Sequence, residues 1–233
     1  MELDPFSLAK KLVHIDGGRI AYHDEGSGPP ILLLHGCPFS SFVWRKVSSR
    51  LAGSFRCIAP DLLGLGDTET LPDADWSLPA QEAMIIGLLD ALGLDRVTVV
   101  GHDHGGAVAQ MMAAHHPERI DRLILCNVEA YDNWPSADER PLVWLTQAPV
   151  LGPLVLRAYG KPTIHRLLLS MGKAVKNKKV LDRELIAGYV RANASDSHRR
   201  AKTARFLAGQ LDPNNNLWTN EAIPGLKVFD RPT

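Results

Sequence analysis

The sequence lacks a net charge, a long apolar run and a secretory signal. Its 26 basic and 26 acidic residues cancel, so charge gives no reason to expect nucleic acid or an anionic membrane as a partner. No apolar run approaches the roughly 18 residues that cross a bilayer. The start at residues 1–5 is acidic and lacks an apolar stretch. We therefore expect no partnership with nucleic acid or with a membrane.

Cysteine is also scarce, the three being Cys37, Cys57 and Cys126. Their number is odd, they are spread along the chain, and they lie mostly in apolar, strand-like runs. We therefore expect buried free thiols rather than disulfides, which suits a reducing compartment and predicts a cytoplasmic protein. Nothing in the pattern predicts a metal site or a cofactor.

The first half of the chain alternates between strand and helix patterns. Its 233 residues, 45% of them hydrophobic, allow one sizeable domain or one domain with an inserted lobe. Short apolar runs joined by helices favour an α/β fold with a mostly parallel sheet and helices on both faces. The predicted strands are residues 11–15, 19–23, 31–34, 56–59, 97–100 and 122–128, and the predicted helices are residues 39–51, 77–92 and 107–116.

The pattern changes after residue 131, where no further stretch reads convincingly as a buried strand. Helix-like stretches separated by glycine, proline and asparagine follow at residues 143–151, 153–158, 164–171, 182–194 and 198–208. The predicted divisions are a core of six strands at residues 1–131, an inserted helical cap at 132–215 and a lead-in to a seventh core strand at 216–233.

The most informative motif is GHDHGG at residues 101–106, directly after the apolar run at 97–100. It has the G-x-nucleophile-x-G layout of a sharp strand-to-helix turn, with Asp103 in the place of the usual serine. The glycines suit a turn that presses backbone against a neighbouring strand and helix. A carboxylate nucleophile attacks an alkyl carbon, and water then hydrolyses the ester. Asp103 therefore narrows the chemistry to opening of carbon–halogen or epoxide carbon–oxygen bonds.

Four motifs in register over residues 10–130 resemble those of one family. They are HGCP at residues 35–38, Trp44, DLLGLGDT at residues 61–68 and the turn at Asp103. Together they resemble the α/β-hydrolase superfamily, in its branch of haloalkane dehalogenases and epoxide hydrolases. The resemblance implies the α/β-hydrolase fold with a helical lid at the position of the predicted cap.

The motifs imply roles for individual residues. The backbone N–H groups of Cys37 and His104 are expected to form an oxyanion hole for the tetrahedral adduct of ester hydrolysis. Together with the helix dipole, they are expected to keep Asp103 ionised. His35 and the loop at residues 61–68 are interpreted as structural, since the family uses this histidine to hold a turn.

The leaving group stays open at this stage. The resemblance implies that dehalogenases bind halide with a tryptophan after the nucleophile and a second donor near the third strand, where this chain has His104 and Cys37. Epoxide hydrolases use tyrosines of the cap to protonate the opening oxygen. Tyr159 and Tyr189 are the candidates, although tyrosines in helical lids are more often packing residues.

The sequence offers a candidate for the acid of the expected mechanism but none for its base. Glu129 ends the sixth predicted strand and matches a glutamate that one dehalogenase subgroup uses to orient its base; the alternative is an exposed loop residue. The family's catalytic histidine follows the last strand, whereas the last histidine here is His198, within the predicted cap. We expect His102 and His104 to diverge from the ester. We therefore expect the C-terminal strands, the final helix and the base to be missing from the sequence.

The leading interpretation is a hydrolase in which Asp103 opens a carbon–halogen bond through an alkyl-enzyme ester. A small apolar substrate is expected from the apolar lid, with water as co-substrate. The alternatives are an epoxide hydrolase and a non-catalytic ligand-binding protein of the same fold. The strand at residues 122–128 would lie at an exposed sheet edge, which predicts a possible homo-oligomer.

Overall fold

A seven-stranded sheet forms the centre of the part of the chain that the computed structural model describes, residues 10–137, 139–171 and 177–233. The strand order is β1-β2-β4-β3-β6-β7, with β5 paired to β2. The strands β4, β3, β6 and β7 pair in parallel, whereas β2 runs antiparallel to β1, β4 and β5. The strands are β1 Lys11–Ile15, β2 Gly18–Glu25, β3 Pro30–Leu34, β4 Arg56–Pro60, β5 Glu69–Thr70, β6 Val97–Asp103 and β7 Ile120–Val128.

Helices cover both faces of this sheet, as predicted. Leu32 and Leu34 of β3 point into the larger core, and their neighbours Ile31 and Leu33 belong to a second cluster on the other face. A strand buried on both faces explains the apolar run without alternation. The first-half helices are α1 Arg45–Leu51, α2 Leu78–Ala91 and α3 His104–His115, and short 3-10 helices occur at Ser41–Trp44 and Pro117–Arg119.

The second half of the chain is helical in the described residues, as the sequence pattern predicts. The helices are α4 Arg140–Gln147, α5 Leu151–Tyr159, α6 Pro162–Met171, α7 Arg183–Ala194, α8 Ser197–Gly209, α9 Asn214–Glu221 and α10 Ile223–Val228, with a 3-10 helix at Lys178–Val180. We call α4 to α8 the helical segment. Its role as a cap and the domain limits at residues 131 and 215 stay predictions.

Two details of the predicted core differ from the structure. The two-residue strand β5 was not predicted, because a strand of two residues has no periodicity to detect; the described core therefore has seven strands rather than six. The helices α9 and α10, which extend to Val228, were not predicted, and Trp218 and Leu226 pack against the main core. After them, the carbonyl of Pro232 accepts a hydrogen bond from Leu123 of β7, and the role of residues 216–233 as a lead-in to a seventh core strand stays a prediction.

The strand β7 lies at the edge of the sheet, as predicted. Ile124 on it is 46% exposed, and within the described ranges the one hydrogen bond to its backbone from outside the sheet joins Leu123 N–H to the carbonyl of Pro232 at 3.0 Å. The prediction that all the cysteines are buried is wrong for Cys126, because this edge strand exposes it, while Cys57 is buried and Cys37 half-buried. All are free thiols. Within the described residues, no helix has the length and apolarity to cross a membrane.

A buried ion cluster holds the loop at residues 61–68. The Lys10 ammonium contacts Asp67 at 2.7 Å and also pairs with Asp61, whose side chain is fully buried. Asp61 further accepts hydrogen bonds from the backbone N–H groups of Ser41 and Asp67. Burial raises the pKa of Asp61, but the charge of Lys10 and the backbone hydrogen bond from Asp67, among other contributions, together lower it to about 2. The loop is therefore structural, as predicted.

Removing the buried cation should destabilise the fold. We expect Lys10→Met to lower the free energy of unfolding by about 3–5 kcal/mol, because it leaves the buried Asp61 carboxylate without its cation. Chemical denaturation followed by circular dichroism measures the change. The matched control is Lys11→Met, whose ammonium pairs with Asp24 from a side chain that is 56% exposed; an exposed pair contributes at most about 1 kcal/mol. Equal effects of the two substitutions would contradict this account.

Candidate active site

The turn after β6 places Asp103 where the sheet meets the start of α3. Its backbone lies in the left-handed region, with φ 56° and ψ −126°. The surrounding glycines are required by close packing, as predicted. A Cβ at Gly101 would lie 2.7 Å from the carbonyl oxygen of Gly105, and one at Gly106 would lie 2.0 Å from the side chain of Val128. The strained turn therefore depends on glycine at both positions.

Two backbone donors converge on one oxygen of Asp103. The N–H groups of Cys37 and His104 both donate to Asp103 Oδ1, each at 2.7 Å. The structure thus brings together the three residues predicted for nucleophile and oxyanion hole. Among the described residues, no cationic side chain forms an ion pair with Asp103, so these dipoles are its direct electrostatic support.

His35 has the structural role expected for it. Its Nε2 accepts a hydrogen bond from the N–H of Leu62 at 3.0 Å, and its Nδ1 lies 2.9 Å from the carbonyl oxygen of Gly36. Burial lowers its pKa to about 4, so the ring is neutral near pH 7. The histidine ties the loop after β3 to the loop after β4, which fixes the donor at Cys37.

Glu129 lies beside Asp103 and keeps its proton. Its backbone N–H donates to the carbonyl of Asp103 at 3.4 Å, and its Oε2 is buried without a hydrogen-bond partner among the described residues. Burial, followed by the charges of Asp103 and Glu139, raises the pKa of Glu129 to about 9. The interpretation as an exposed loop residue is therefore wrong, because the side chain faces the site.

Burial works against the ionised form of Asp103. Burial raises its pKa, and this effect outweighs the lowering by the N–H groups of His104 and Cys37. The two donors act in the expected direction, since both lower the pKa of Asp103, and the ionised state of Asp103 stays a prediction. Because Asp103 accepts two hydrogen bonds and Glu129 Oε2 accepts none, the pair holds its proton on Glu129.

The side chain of His104 is turned into an aromatic cluster. Its ring packs edge-on against Trp134 at 5.2 Å and Phe206 at 5.1 Å, and the residue is 2% exposed. Burial lowers its pKa to about 3, so a protonated His104 is not available to bind a leaving group. The Cys37 thiol stays protonated as well, since burial and the charge of Asp103 raise its pKa.

Both predicted tyrosines lie near the loop that carries Cys37. The ring centroid of Tyr189 lies 4.7 Å from that of Phe39. Burial raises the pKa of Tyr159, and the nearby Cys37 raises it further, which places Tyr159 close to that cysteine. His165, which no sequence motif indicated, lies between them with its ring 4.2 Å from Tyr159 and 6.0 Å from Tyr189. Neither tyrosine hydroxyl has a hydrogen-bond partner in the described part of the chain.

The apolar residues of the helical segment do not share one location. Trp144, Leu151 and Leu154 are each more than half exposed, whereas Val143 and Leu156 are buried. The predicted apolar substrate therefore cannot be inferred from these residues as a group. No group of three or more His, Cys, Asp or Glu side chains within the described ranges is placed to hold a metal ion.

The comparison with known proteins decides the family. A model described as "alpha/beta hydrolase fold" matches residues 29–222. The chain belongs to the α/β-hydrolase fold family. The resemblance to its dehalogenase and epoxide hydrolase branch is confirmed by the relatives.

Three comparisons illustrate that similarity. The soluble epoxide hydrolase of Corynebacterium sp. is 40% identical over 211 residues, 87% of this chain and 73% of that protein. Haloalkane dehalogenase 2 of Mycobacterium tuberculosis is 41% identical over 119 residues, 51% of this chain and 41% of that protein. The solved structure of the epoxide hydrolase CorEH without ligand has a TM-score of 0.73 at 28% identity, covering 92% of this chain and 77% of that one.

Some curated relatives are much longer than the part of them that this chain matches. The chain spans 36% of the length of a Mycobacterium tuberculosis protein to which it is 44% identical over 124 residues. Activity and substrate are therefore matters of proposal.

The raised pKa of Glu129 makes stability depend on pH. Because the pKa rises from 4.5 to about 9 on folding, its stabilising contribution is complete below pH 4.5 and is lost as the pH rises towards 9. Glu129→Gln cannot ionise, so we expect it to raise Tm at about pH 8 by roughly 2–4 °C or more and to change it little near pH 5.

Scanning calorimetry at the two pH values tests this expectation. The control is Glu221→Gln, at an exposed residue of α9, which should give the same small shift at both. A Glu129→Gln shift that does not grow with pH would contradict the assignment of the proton to Glu129.

Proposed function

We propose that this protein hydrolyses epoxides, with Asp103 as nucleophile. The proposal rests on the hydroxyl groups of Tyr159 and Tyr189, which have no hydrogen-bond partner among the described residues. Both tyrosines lie near the loop of Cys37, whose N–H donates to Asp103. An epoxide leaves as an alkoxide on the same molecule, so its opening requires a proton donor at the oxygen. Burial raises the pKa of both tyrosines, which keeps them protonated near pH 7.

The first step forms an ester and opens the ring. A carboxylate oxygen of Asp103 attacks an epoxide carbon, the carbon–oxygen bond breaks, and the oxygen takes a proton from Tyr159 or Tyr189. The ester carbonyl is then attacked by water. The N–H groups of Cys37 and His104 are suited to stabilise the resulting oxyanion, since both already donate to Asp103 Oδ1. Collapse of the adduct breaks the ester bond, releases a vicinal diol and restores the Asp103 carboxylate, and the proton that the water gives up returns to the tyrosinate.

The water-activating base stays unassigned. No histidine of the described residues forms a hydrogen bond with Asp103 or Glu129. Glu129 retains its predicted role as the acid that orients a base, because a cationic partner beside it would favour its ionised form and lower its pKa.

Carbon–halogen cleavage, the first choice from sequence, has weaker support. A departing halide needs strong N–H donors. His104 is neutral and turned towards Trp134 and Phe206, while the Cys37 thiol is a weak donor. The epoxide hydrolase relative also matches 87% of this chain, compared with 51% for the dehalogenase.

Diol formation from styrene oxide tests the proposal. We expect Asp103→Asn to abolish turnover, and Tyr159→Phe with Tyr189→Phe to lower kcat/KM by about 10²-fold or more, since a general acid typically contributes 10²–10⁴-fold. The control is Tyr22→Phe in β2, which should leave the rate unchanged. Chromatographic measurement of phenylethane-1,2-diol gives the rates.

Other outcomes of the same experiment favour the alternatives. Bromide release from 1-bromobutane that needs Asp103 but survives loss of both tyrosine hydroxyls, without diol formation, would indicate a dehalogenase. Tight binding of either compound without conversion, unaffected by Asp103→Asn, would indicate a non-catalytic binding protein. Full diol formation by the double phenylalanine variant would overturn the role of the tyrosines.

A further inference from the structure

The neutral total charge of the chain conceals a strong separation of charge. Residues 140–181 contain eight basic and no acidic residues, whereas the remainder of the chain contains 18 basic and 26 acidic residues. The expectation that no membrane is a partner rested on the total charge, so it does not extend to this segment. Six of the eight basic residues lie within the described ranges and all six are exposed, namely Arg140, Arg157, Lys161, Arg166, Lys178 and Lys179.

The same segment exposes large apolar side chains on two neighbouring helices, α4 and α5. These side chains, which are between 39% and 73% exposed, belong to Trp144, Leu145, Val150, Leu151 and Leu154. We call these five residues the α4–α5 face. Single exposed apolar residues are ordinary, but several that adjoin one another mark a site of interaction with a protein or a membrane.

The α4–α5 face lies on the outer side of both helices. The residues that the two helices bury are Val143, Thr146, Gly152 and Leu156. On a helix of 3.6 residues per turn, these positions turn away from Trp144 on α4 and from Leu154 on α5. The two helices pack against each other and both pack against α8, so their outer sides together form one surface.

Basic side chains adjoin this surface directly. Arg140 and Trp144 are four residues apart on α4, and Leu154 and Arg157 are three residues apart on α5, so each pair shares one side of its helix. Lys161 follows the end of α5. Within the described ranges, no carboxylate forms an ion pair with Arg157 or Lys161, so their charges are available to an anionic partner.

A second copy of the chain suits this surface poorly. In a symmetric dimer the same patch meets itself, so Arg157 and Lys161 would face their own copies, and residues 140–181 offer no acidic side chain to pair with them. Like charges brought together at an interface oppose binding. An anionic lipid surface accepts both features, because tryptophan and leucine enter the boundary of headgroups and acyl chains while basic residues contact the anionic headgroups.

We propose that the α4–α5 face binds the surface of an anionic lipid bilayer, with its apolar side chains at the acyl boundary and the adjoining basic residues at the headgroups. The helices, of eight and nine residues, lie along the surface and do not cross it. Because α5 also carries Tyr159, binding brings the proposed site to the phase in which apolar epoxides dissolve. That consequence rests on the proposed function, whereas the binding itself does not.

Sedimentation with lipid vesicles tests this binding without any turnover. We expect the protein to sediment with vesicles of phosphatidylcholine and phosphatidylserine. Vesicles of phosphatidylcholine alone should bind at least about tenfold more weakly, since each basic residue near an anionic surface strengthens binding about fivefold. Raised salt should weaken the binding to the anionic vesicles, because it screens exposed charges.

Substitutions of exposed leucines test the apolar part of the surface. Leu151→Gln with Leu154→Gln should weaken binding to the anionic vesicles about tenfold or more, because two side chains no longer leave water on binding. The matched control is Leu71→Gln with Leu217→Gln, at leucines that are 60% and 50% exposed outside α4 and α5, and it should leave the binding unchanged. All four side chains are exposed, so the variants should fold.

Substitutions of basic residues test the charged part in the same way. Arg157→Gln with Lys161→Gln should weaken binding to the anionic vesicles about 10- to 30-fold, as expected for two lost charges. The matched control is Lys46→Gln with Arg50→Gln, which removes the same number of exposed charges from α1 and should change the binding little.

Three results would overturn the proposal: no sedimentation with the anionic vesicles, equal binding to neutral vesicles, or equal losses in the control variants. A dimer that dissociates on Leu151→Gln with Leu154→Gln, in a protein that does not bind vesicles, would assign the surface to a second copy instead. Vesicle binding by a protein that forms no diol from styrene oxide would support the surface and contradict the proposed reaction. Diol formation without vesicle binding would do the reverse, so the two failures are distinguishable.

Discussion

The convergence of two backbone N–H groups on Asp103 Oδ1 is the interaction on which the site depends. One donor belongs to the loop after β3 and the other to the first residue of α3, so both require the sheet and the helix to approach closely at this point. Glycine at positions 101 and 106 permits that approach. The helices, the sheet order and the loop held by His35 all act by keeping these three groups in place.

The distribution of charge divides the molecule into two regions. Lys10, Arg191 and Arg199 all contact Asp67, whereas Asp103 and Glu129 have no cation paired with them in the described residues. Burial therefore raises the pKa of both carboxyls without a paired cation to lower it, and Glu129 retains its proton. A site with this balance offers fixed backbone dipoles and neutral donors rather than a paired cation.

The sequence predicted local features well and long-range ones poorly. The turn at Asp103 was predictable because its glycines and nucleophile are adjacent in sequence, and the helices of the second half because their apolar pattern is local. The exposure of Cys126 depends on β7 lying at an edge, and the helical state of residues 216–228 depends on packing against α3. The low pKa of His104 and its contact with Phe206, about a hundred residues away, follow only from tertiary structure.

The salt bridges at Asp67 also constrain how the helical segment can move relative to the core. Arg191 of α7 and Arg199 of α8 tie the end of the helical segment to the core through one carboxylate. Lifting that end would strip a mostly buried anion of two of its counterions at once. Separating α7 and α8 from the core at this point is therefore costly, because removing partners from a mostly buried carboxylate destabilises it.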